Sequence, residues 1–242
     1  MIKLAISGCQ GRMGQRITAL AIKNKAFKIS ALLENKNCPD VPLLSHNIPV
    51  SFKDAALKGS HVLIEFTTPE ASLLHLKACR KYGVNIVLGT TGFTKAQIAQ
   101  IKKASCGIAI VFSSNMSVGV NLVFGLIRQA AQITGKDYSI ALSETHHVHK
   151  KDAPSGTAKT MAEIAEQFSK TKVKEIESIR EGEVIGDHTI SFESPVDLIS
   201  IHHHAKTRDI FAQGALVAAK FLSKKKKGLF NMQDVLGLRS LK

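Results

Sequence analysis

The chain has 242 residues, 44% of them hydrophobic, which is enough to bury a sizeable core as one large domain or two modest ones and excludes a disordered protein. No apolar run approaches a membrane span, and the first residues lead directly into a glycine-rich turn, so signal peptide and membrane anchor are excluded and a cytoplasmic protein is expected. The 33 basic against 19 acidic residues give a formal charge of +14, but lysines are scattered, there is no Trp and there are two Tyr, so small anionic ligands are favoured over nucleic acid.

Lys3 to Ser7 is a short β-type run, followed by Gly8-Cys-Gln-Gly-Arg-Met-Gly14 and an amphipathic helix pattern from Gln15 to about Lys23. Strand, glycine turn and helix form a dinucleotide-binding opening. Glycine is needed at Gly8 and Gly11 because a pyrophosphate must approach bare backbone N–H groups, and Gly14 lets helix and strand pack closely. A second strand, Phe27 to Leu33, ends in Glu34, 20 residues past Gly14. That is where a ribose-binding acid belongs.

Cys9, Cys38, Cys79 and Cys106 are widely spaced, as expected of reduced thiols rather than a disulfide or zinc framework. The α/β rhythm continues with a strand at Val62 to Phe66, a helix from Pro69 to Tyr82, a strand at Asn85 to Leu88, a helix from Thr94 to Lys103 and a strand at Ile108 to Phe112. This alternation predicts a parallel doubly wound sheet of Rossmann type, with ligand at the carboxyl ends of its strands. Those ends carry Phe66-Thr-Thr-Pro69, Gly89-Thr-Thr-Gly92 and Ser113-Ser-Asn-Met-Ser117.

An apolar helix pattern at Val118 to Thr134 is followed by strands at Tyr138 to Glu144, Glu175 to Arg180, His188 to Phe192 and Leu198 to Ala205. Consecutive strands without intervening helices predict an antiparallel or mixed sheet in a second α+β domain. A last helix, Asp209 to Leu222, runs into Lys224 to Lys227, a solvated helix end, and a tail. The division expected is a dinucleotide-binding domain at 1–117 plus 208–242 and a substrate-binding and oligomerisation domain at 118–207.

The chemistry concentrates in Ser143 to Thr160, S-E-T-H-H-V-H-K-K-D-A-P-S-G-T-A-K-T. Ser155 or Thr157 stands where an N-cap belongs, and the N–H groups of Gly156, Thr157 and Ala158 form an anion cradle at the positive end of a helix. A reductase acting on a carbon–nitrogen double bond needs a proton source and cations for an acidic substrate, and His146, His147, His149 and Lys150 supply both. A metal held with His202 to His204 is disfavoured, because adjacent lysines repel a cation and no carboxylate pair accompanies them.

These residues resemble the 4-hydroxy-tetrahydrodipicolinate reductase (dihydrodipicolinate reductase) family over nearly the whole chain. The likeness rests on G-C-Q-G-R-M-G at Gly8, E-F-T-T-P-E at Glu65, G-T-T-G at Gly89, S-N-M-S-V-G-V-N at Ser114 and, most specifically, H-H-V-H-K-K-D-A-P-S-G-T-A at His146. It implies NAD(P)H-dependent reduction of a cyclic dicarboxylate imine in lysine and diaminopimelate biosynthesis. His146 is then the general acid and Lys150 its partner, with His147, Ser155, Gly156, Thr157 and Arg208 on the dicarboxylate. Gly8, Gly11, Arg12, Met13, Glu34, Gly89, Thr91, Ser113, Ser114, Asn115 and Met116 match cofactor-binding positions, and no metal is implied. A homotetramer built through the second domain and a cleft that closes on substrate follow from the same resemblance.

Two positions depart from the family pattern. Asn35 stands where a basic residue often follows the ribose acid, so NADH is expected to be preferred over NADPH, and Val148 interrupts the histidine run without touching the matched positions. Two rival readings of the same residues are a dehydrogenase of an open-chain aspartate-derived substrate and an NADH-binding redox sensor.

Overall fold

The structure is a computed structural model that describes residues 1–39 and 41–238. In chain order it forms β1 (Ile2–Ser7), α1 (Arg12–Lys23), β2 (Phe27–Leu33), β3 (Leu44–Ser45), β4 (Ile48–Ser51), a 3-10 turn (Asp54–Leu57), β5 (Val62–Glu65), α2 (Pro69–Tyr82), β6 (Asn85–Leu88), α3 (Lys95–Ala104) and β7 (Ala109–Phe112). Then follow α4 (Val118–Thr134), β8 (Ser139–His146), α5 (Gly156–Ser169), β9 (Val173–Arg180), β10 (Asp187–Glu193), β11 (Leu198–His204), α6 (Asp209–Leu222), β12 (Gly228–Phe230) and α7 (Met232–Val235). Two compact units divide these elements: Met1–Ser117 with residues 211–238, and Val118–Ile210. Residues 239–242, which close the expected dinucleotide-binding domain, lie outside the described residues.

The first unit is a doubly wound sheet of order β12-β7-β6-β5-β1-β2-β4-β3, parallel except for the β3–β4 hairpin. Strand alternation sends Leu4, Ile6, Ile64, Val87 and Val111 to one face, against Ile17 and Ala21 of α1 and Ala215, Ala219 and Leu222 of α6. Ala5, Leu63, Ile86, Leu88 and Ile110 go to the other, against Leu76 and Cys79 of α2 and Ile101 and Ala104 of α3. Both faces are covered, which is why these strands read as unbroken apolar runs. The helix ends follow the sequence closely: the Thr68 side chain accepts from Ala71 N–H ahead of Pro69, and Thr94 and Gln97 close a reciprocal capping box.

Sequence reasoning missed two pieces of this sheet. His46 and Asn47 both have positive φ, 52° and 62°, and turn the β3–β4 hairpin, which lacks the Asn-Gly or Asp-Gly that advertises such a turn. The segment expected to be a tail instead returns as β12, parallel to β7. The Asn85 amide holds that return by donating to the carbonyls of Leu222 and Lys225, while its oxygen accepts from Ala109 N–H. Lys225 lies over the rings of Phe221 and Phe230, so part of the lysine block covers apolar surface.

In the second unit the sheet order is β11-β10-β8-β9. The expectation of strands without intervening helices is corrected here: α5 lies between β8 and β9, which pair in parallel, while β8, β10 and β11 are antiparallel. The sheet is mixed because a parallel return needs a helix-length crossover. One face packs Ile140, Leu142, Ile190 and Phe192 against Val120, Phe124 and Ile127 of α4 and Met161 and Ala165 of α5. Along β8 burial alternates strictly, and its last two inward positions are Glu144 and His146.

Candidate active site

The carboxyl edge of the first sheet holds the expected cofactor positions. Gly8 follows β1 with φ +58°, and an added Cβ there would stand 2.8 Å from Thr67 Cγ2. At Gly14 it would stand 2.0 Å from the Gly8 carbonyl oxygen. The glycines are thus required by the protein's own close approaches as well as by any ligand. Gly11 is the N-cap of α1 and offers no side-chain cap, so the first turn presents bare N–H groups where a pyrophosphate is stabilised. Glu34 flanks this turn, its carboxylate accepting from Gln10 N–H at 2.8 Å and from Asn35 N–H at 2.9 Å. An uncapped helix start beside an anchored acid fits a dinucleotide, with pyrophosphate on the turn and ribose at Glu34.

The remaining positions on this edge divide by exposure. Arg12, Thr91 and Ser114 are exposed, and Met13, Gly89, Ser113 and Asn115 are partly so. Ser113 Oγ donates to the Asn115 carbonyl, and Asn115 Oδ1 accepts from Ser117 N–H, which shapes the turn after β7. Met116 is buried in the core, and its carbonyl lies so close to Gly214 that a Cβ there would stand 1.7 Å away. Its side chain is therefore committed to packing.

In the second unit a polar cluster gathers at the end of β8. Glu144 is fully buried in its side chain; one oxygen accepts from Arg180 Nη2 at 3.0 Å and from Ser155 N–H at 3.2 Å, and the other holds His146 Nδ1. The His188 ring meets the His146 ring edge-on, with centroids 5.0 Å apart, and its Nε2 pairs with Ser155 Oγ at 3.2 Å. Ser155 is also the N-cap of α5, accepting from Ala158 N–H. Arg180 donates further to the carbonyls of Lys150 and Asp152, which ties the loop before α5 to β9. Lys150 Nζ lies 2.8 Å from Asp152 and is itself half-buried.

Burial dominates the electrostatics. It pushes His146 below its ordinary value of 6.5; the hydrogen bond and charge of Glu144 oppose this, and the cations Lys150 and Arg180 reinforce it. His188 is held down to about 4, first by burial and then by its histidine neighbour. Burial alone would raise the Glu144 carboxyl, but Arg180 and His146 outweigh it and keep the group below the usual range. Burial thus sets the His146 imidazole below its ordinary range, with Nδ1 turned to the Glu144 carboxylate.

His146, Lys150 and Ser155 are joined in this network, and Gly156 and Thr157 open α5 beside it. His147 is half-buried with an unpartnered Nδ1, its ring 6.1 Å from that of the exposed His149. Arg208 is exposed just ahead of α6 and stands outside the network. His202 and His204 share the opposite sheet face, bridged by the two oxygens of Asp187, apart from the His146 cluster. Among the described residues, Glu144, His146 and His188 bring ligand atoms within 4.8 Å of one another. The Glu144 oxygens are already occupied by Arg180, Ser155 and His146, and a cation there would meet a guanidinium.

Glu144, Arg180 and His188 were absent from the sequence expectations. A signal existed for the first: in a strand where Ile140 and Leu142 point inward, Glu144 and His146 continue the same parity, placing a carboxylate and an imidazole side by side. Arg180 and His188 come from later strands, and only register brings them in, Arg180 opposite His146 and His188 opposite Glu144.

Comparison with known proteins identifies the family. Family models described as dihydrodipicolinate reductase, N-terminus and C-terminus, match residues 2–116 and 119–236. A 4-hydroxy-tetrahydrodipicolinate reductase of Nitrosomonas eutropha is 40% identical over 269 aligned positions, covering 99% of each chain. One from Syntrophotalea carbinolica is 39% identical, covering 99% of this chain and 100% of the relative. A solved dipicolinate-bound dihydrodipicolinate reductase from Paenisporosarcina sp. TG-14 matches with TM-score 0.83 and 25% identity, covering 97% of this chain and 98% of that one. A diaminopimelate dehydrogenase of C. glutamicum shares the fold alone, with TM-score 0.60 and 14% identity. The chain belongs to the 4-hydroxy-tetrahydrodipicolinate reductase family and is an NAD(P)H-dependent oxidoreductase of lysine and diaminopimelate biosynthesis, reducing a cyclic dicarboxylate imine to tetrahydrodipicolinate.

Proposed function

We propose that His146 is the general acid of this reduction and that Lys150, His147, Ser155, Gly156, Thr157 and Arg208 hold the dicarboxylate. The observation that carries this reading is the Glu144–His146 pair buried beside the N-terminus of α5, with a lysine within the same loop. When bound, the reduced nicotinamide supplies the hydride. Glu144 fixes the His146 ring through Nδ1 and leaves Nε2 as the atom that carries the proton. A dianionic ligand adds negative charge beside His146 and Lys150 and raises the imidazole's affinity for a proton, so binding charges the acid that the reaction then uses. The N–H groups opening α5 and the Lys150 ammonium are the carboxylate donors.

On the first unit, Gly8, Gly11, Arg12 and Met13 take the pyrophosphate, Glu34 the ribose, and Gly89, Thr91 and the Ser113–Met116 turn the nicotinamide side. Met116 takes part through its main chain, since its side chain is in the core. Asn35 next to Glu34 offers no cation for a 2′-phosphate, which supports a preference for NADH. The protein acts in the cytoplasm as a homotetramer formed through the second unit, a reading supported by the sheet face opposite α4 and α5. There Ala141, Ser143, Ser191 and Ser200 are all small, fit to meet another sheet closely.

Dipicolinate, the compound bound in the solved relative, is the probe for the dicarboxylate assignments. Calorimetric titration with NADH present is expected to show binding by the wild type and a loss of about tenfold in Lys150→Ala, the size of a charge-assisted hydrogen bond. Unchanged affinity in that variant would remove Lys150 from the substrate site.

A further inference from the structure

Glu65, the last residue of β5, is fully buried. A carboxylate out of water persists only where donors replace the lost hydration. Here Ser7 Oγ donates to Oε2 at 2.5 Å, where His75 Nδ1 also stands at 2.5 Å. Oε1 accepts from Thr67 N–H at 3.1 Å, from Ser72 Oγ at 3.2 Å and from Thr67 Oγ1. The network extends one residue further: Thr90 Oγ1 lies within hydrogen-bond distance of Ser72 Oγ, at 2.9 Å, and accepts from Thr67 N–H at 3.0 Å.

These donors belong to different loops. Ser7 ends β1 and precedes Gly8, Thr67 lies in the turn after β5, Ser72 is in the first turns of α2, and Thr90 lies between Gly89 and Thr91 after β6. The loops also touch without slack, since a Cβ on Gly8 would meet Thr67 Cγ2 at 2.8 Å and one on Gly89 would meet the Phe66 ring at 2.2 Å. The whole arrangement lies at the carboxyl edge of the parallel sheet, where doubly wound folds bind dinucleotides.

We propose that Glu65 is a positioning residue for the nicotinamide cofactor, one buried carboxylate setting the glycine turn after β1, the turn after β5 and the turn after β6 at fixed spacing. This rests on the placement of the dinucleotide on this edge given above. Glu65 touches no ligand itself; it acts through Ser7, Thr67 and, by way of Ser72, Thr90. His75, which also faces Asp54 at 4.0 Å, closes the carboxylate off from solvent on the α2 side. Side-chain hydrogen bonds to a shared anion hold turns that short backbone ladders leave free, and small displacements of such turns are costly to a bound ligand.

The test is the equilibrium dissociation constant of NADH, read from its fluorescence on the full-length protein, with steady-state kinetics alongside. Glu65→Gln keeps the volume but turns one acceptor into a donor facing other donors, and is expected to raise the NADH dissociation constant and KM about tenfold. Ser72→Ala cuts the link to Thr90 and is expected to raise them about threefold, with kcat and the dicarboxylate KM within about twofold of wild type at saturating NADH. A folded Glu65→Gln protein with unchanged NADH affinity overturns the proposal. So does a variant in which kcat and both KM values deteriorate together with melting temperature, since that is a structural role only. If Glu65→Gln does not fold, unchanged NADH affinity in Ser72→Ala and Ser7→Ala overturns it. Gly8→Ala separates the two layers: if it leaves NADH affinity intact, the placement of the dinucleotide fails, whereas a loss there with none in Glu65→Gln or Ser72→Ala defeats the role of Glu65 alone.

Discussion

Arg180 donates from Nη2 to Oε1 of Glu144 at 3.0 Å, while the other oxygen of that carboxylate holds Nδ1 of His146. The guanidinium thus keeps the carboxylate ionised and oriented, and the carboxylate orients the imidazole. Glu144→Gln is expected to lower kcat by about a hundredfold, the lower range for losing a correctly held acid, with NADH affinity unchanged. Steady-state kinetics and NADH fluorescence titration check this; near-normal turnover would show that His146 needs no orientation.

The pH dependence of kcat/KM for the dicarboxylate reports the free enzyme. As the proposed general acid His146 must be protonated to act, and burial lowers it from 6.5, with Lys150 and Arg180 adding to the shift and Glu144 opposing it. Activity is therefore expected to fall with rising pH from a break below 6.5. With the dianion bound, the break in kcat moves to higher pH. Lys150→Met should move the kcat/KM break upward by removing a nearby cation. A wild-type break above 6.5 contradicts this ordering.

His188 links pH to stability. Its folded value of about 4 lies below the unfolded 6.5, so the unfolded chain binds the extra proton between those values. The associated stability is fully present above pH 6.5 and is lost as pH falls toward 4, to a total of about 3 kcal/mol. His146 acts in the same direction. His75 acts oppositely at higher pH: burial lowers it, but Glu65, Asp54 and Glu34 prevail and raise it, so its contribution is lost as pH rises through that raised value. Denaturant unfolding of wild type and His188→Gln at pH 7 and pH 5 checks the first effect, and equal slopes in the two proteins would exclude it.

Much of the fold was legible because its signals are local. The strand from Phe27 to Leu33, the helix from Pro69 to Tyr82 with its Thr68 cap, and the helix from Asp209 to Leu222 coincide with the structure. β12 was hidden because nothing local says that Gly228-Leu-Phe230 will pair with β7, which precedes it by more than a hundred residues. The site divided in the same way. His146, Lys150 and Ser155 stand close together in sequence, whereas Arg180 and His188 reach Glu144 only through sheet register, which no short pattern encodes. The lowered proton affinity of His146 likewise comes from burial created by other elements.

Cofactor choice is testable at one residue. Glu34 accepts the Asn35 N–H, and the Asn35 side chain is exposed and turns back to accept from Asn37 N–H. Asn35→Arg places a guanidinium where a 2′-phosphate would lie and is expected to lower the KM for NADPH about tenfold relative to that for NADH. An unchanged ratio would place the 2′-position elsewhere.

The most direct measurement is parallel oxidation of NADH and NADPH, with 4-hydroxy-tetrahydrodipicolinate generated in place, by wild type and His146→Gln. The expected result is rapid turnover by the wild type, faster with NADH at low cofactor concentration, and a fall in kcat of about a hundredfold or more in the variant, with cofactor affinity retained. A variant that turns over at a near-normal rate would contradict the assignment of His146 as the acid.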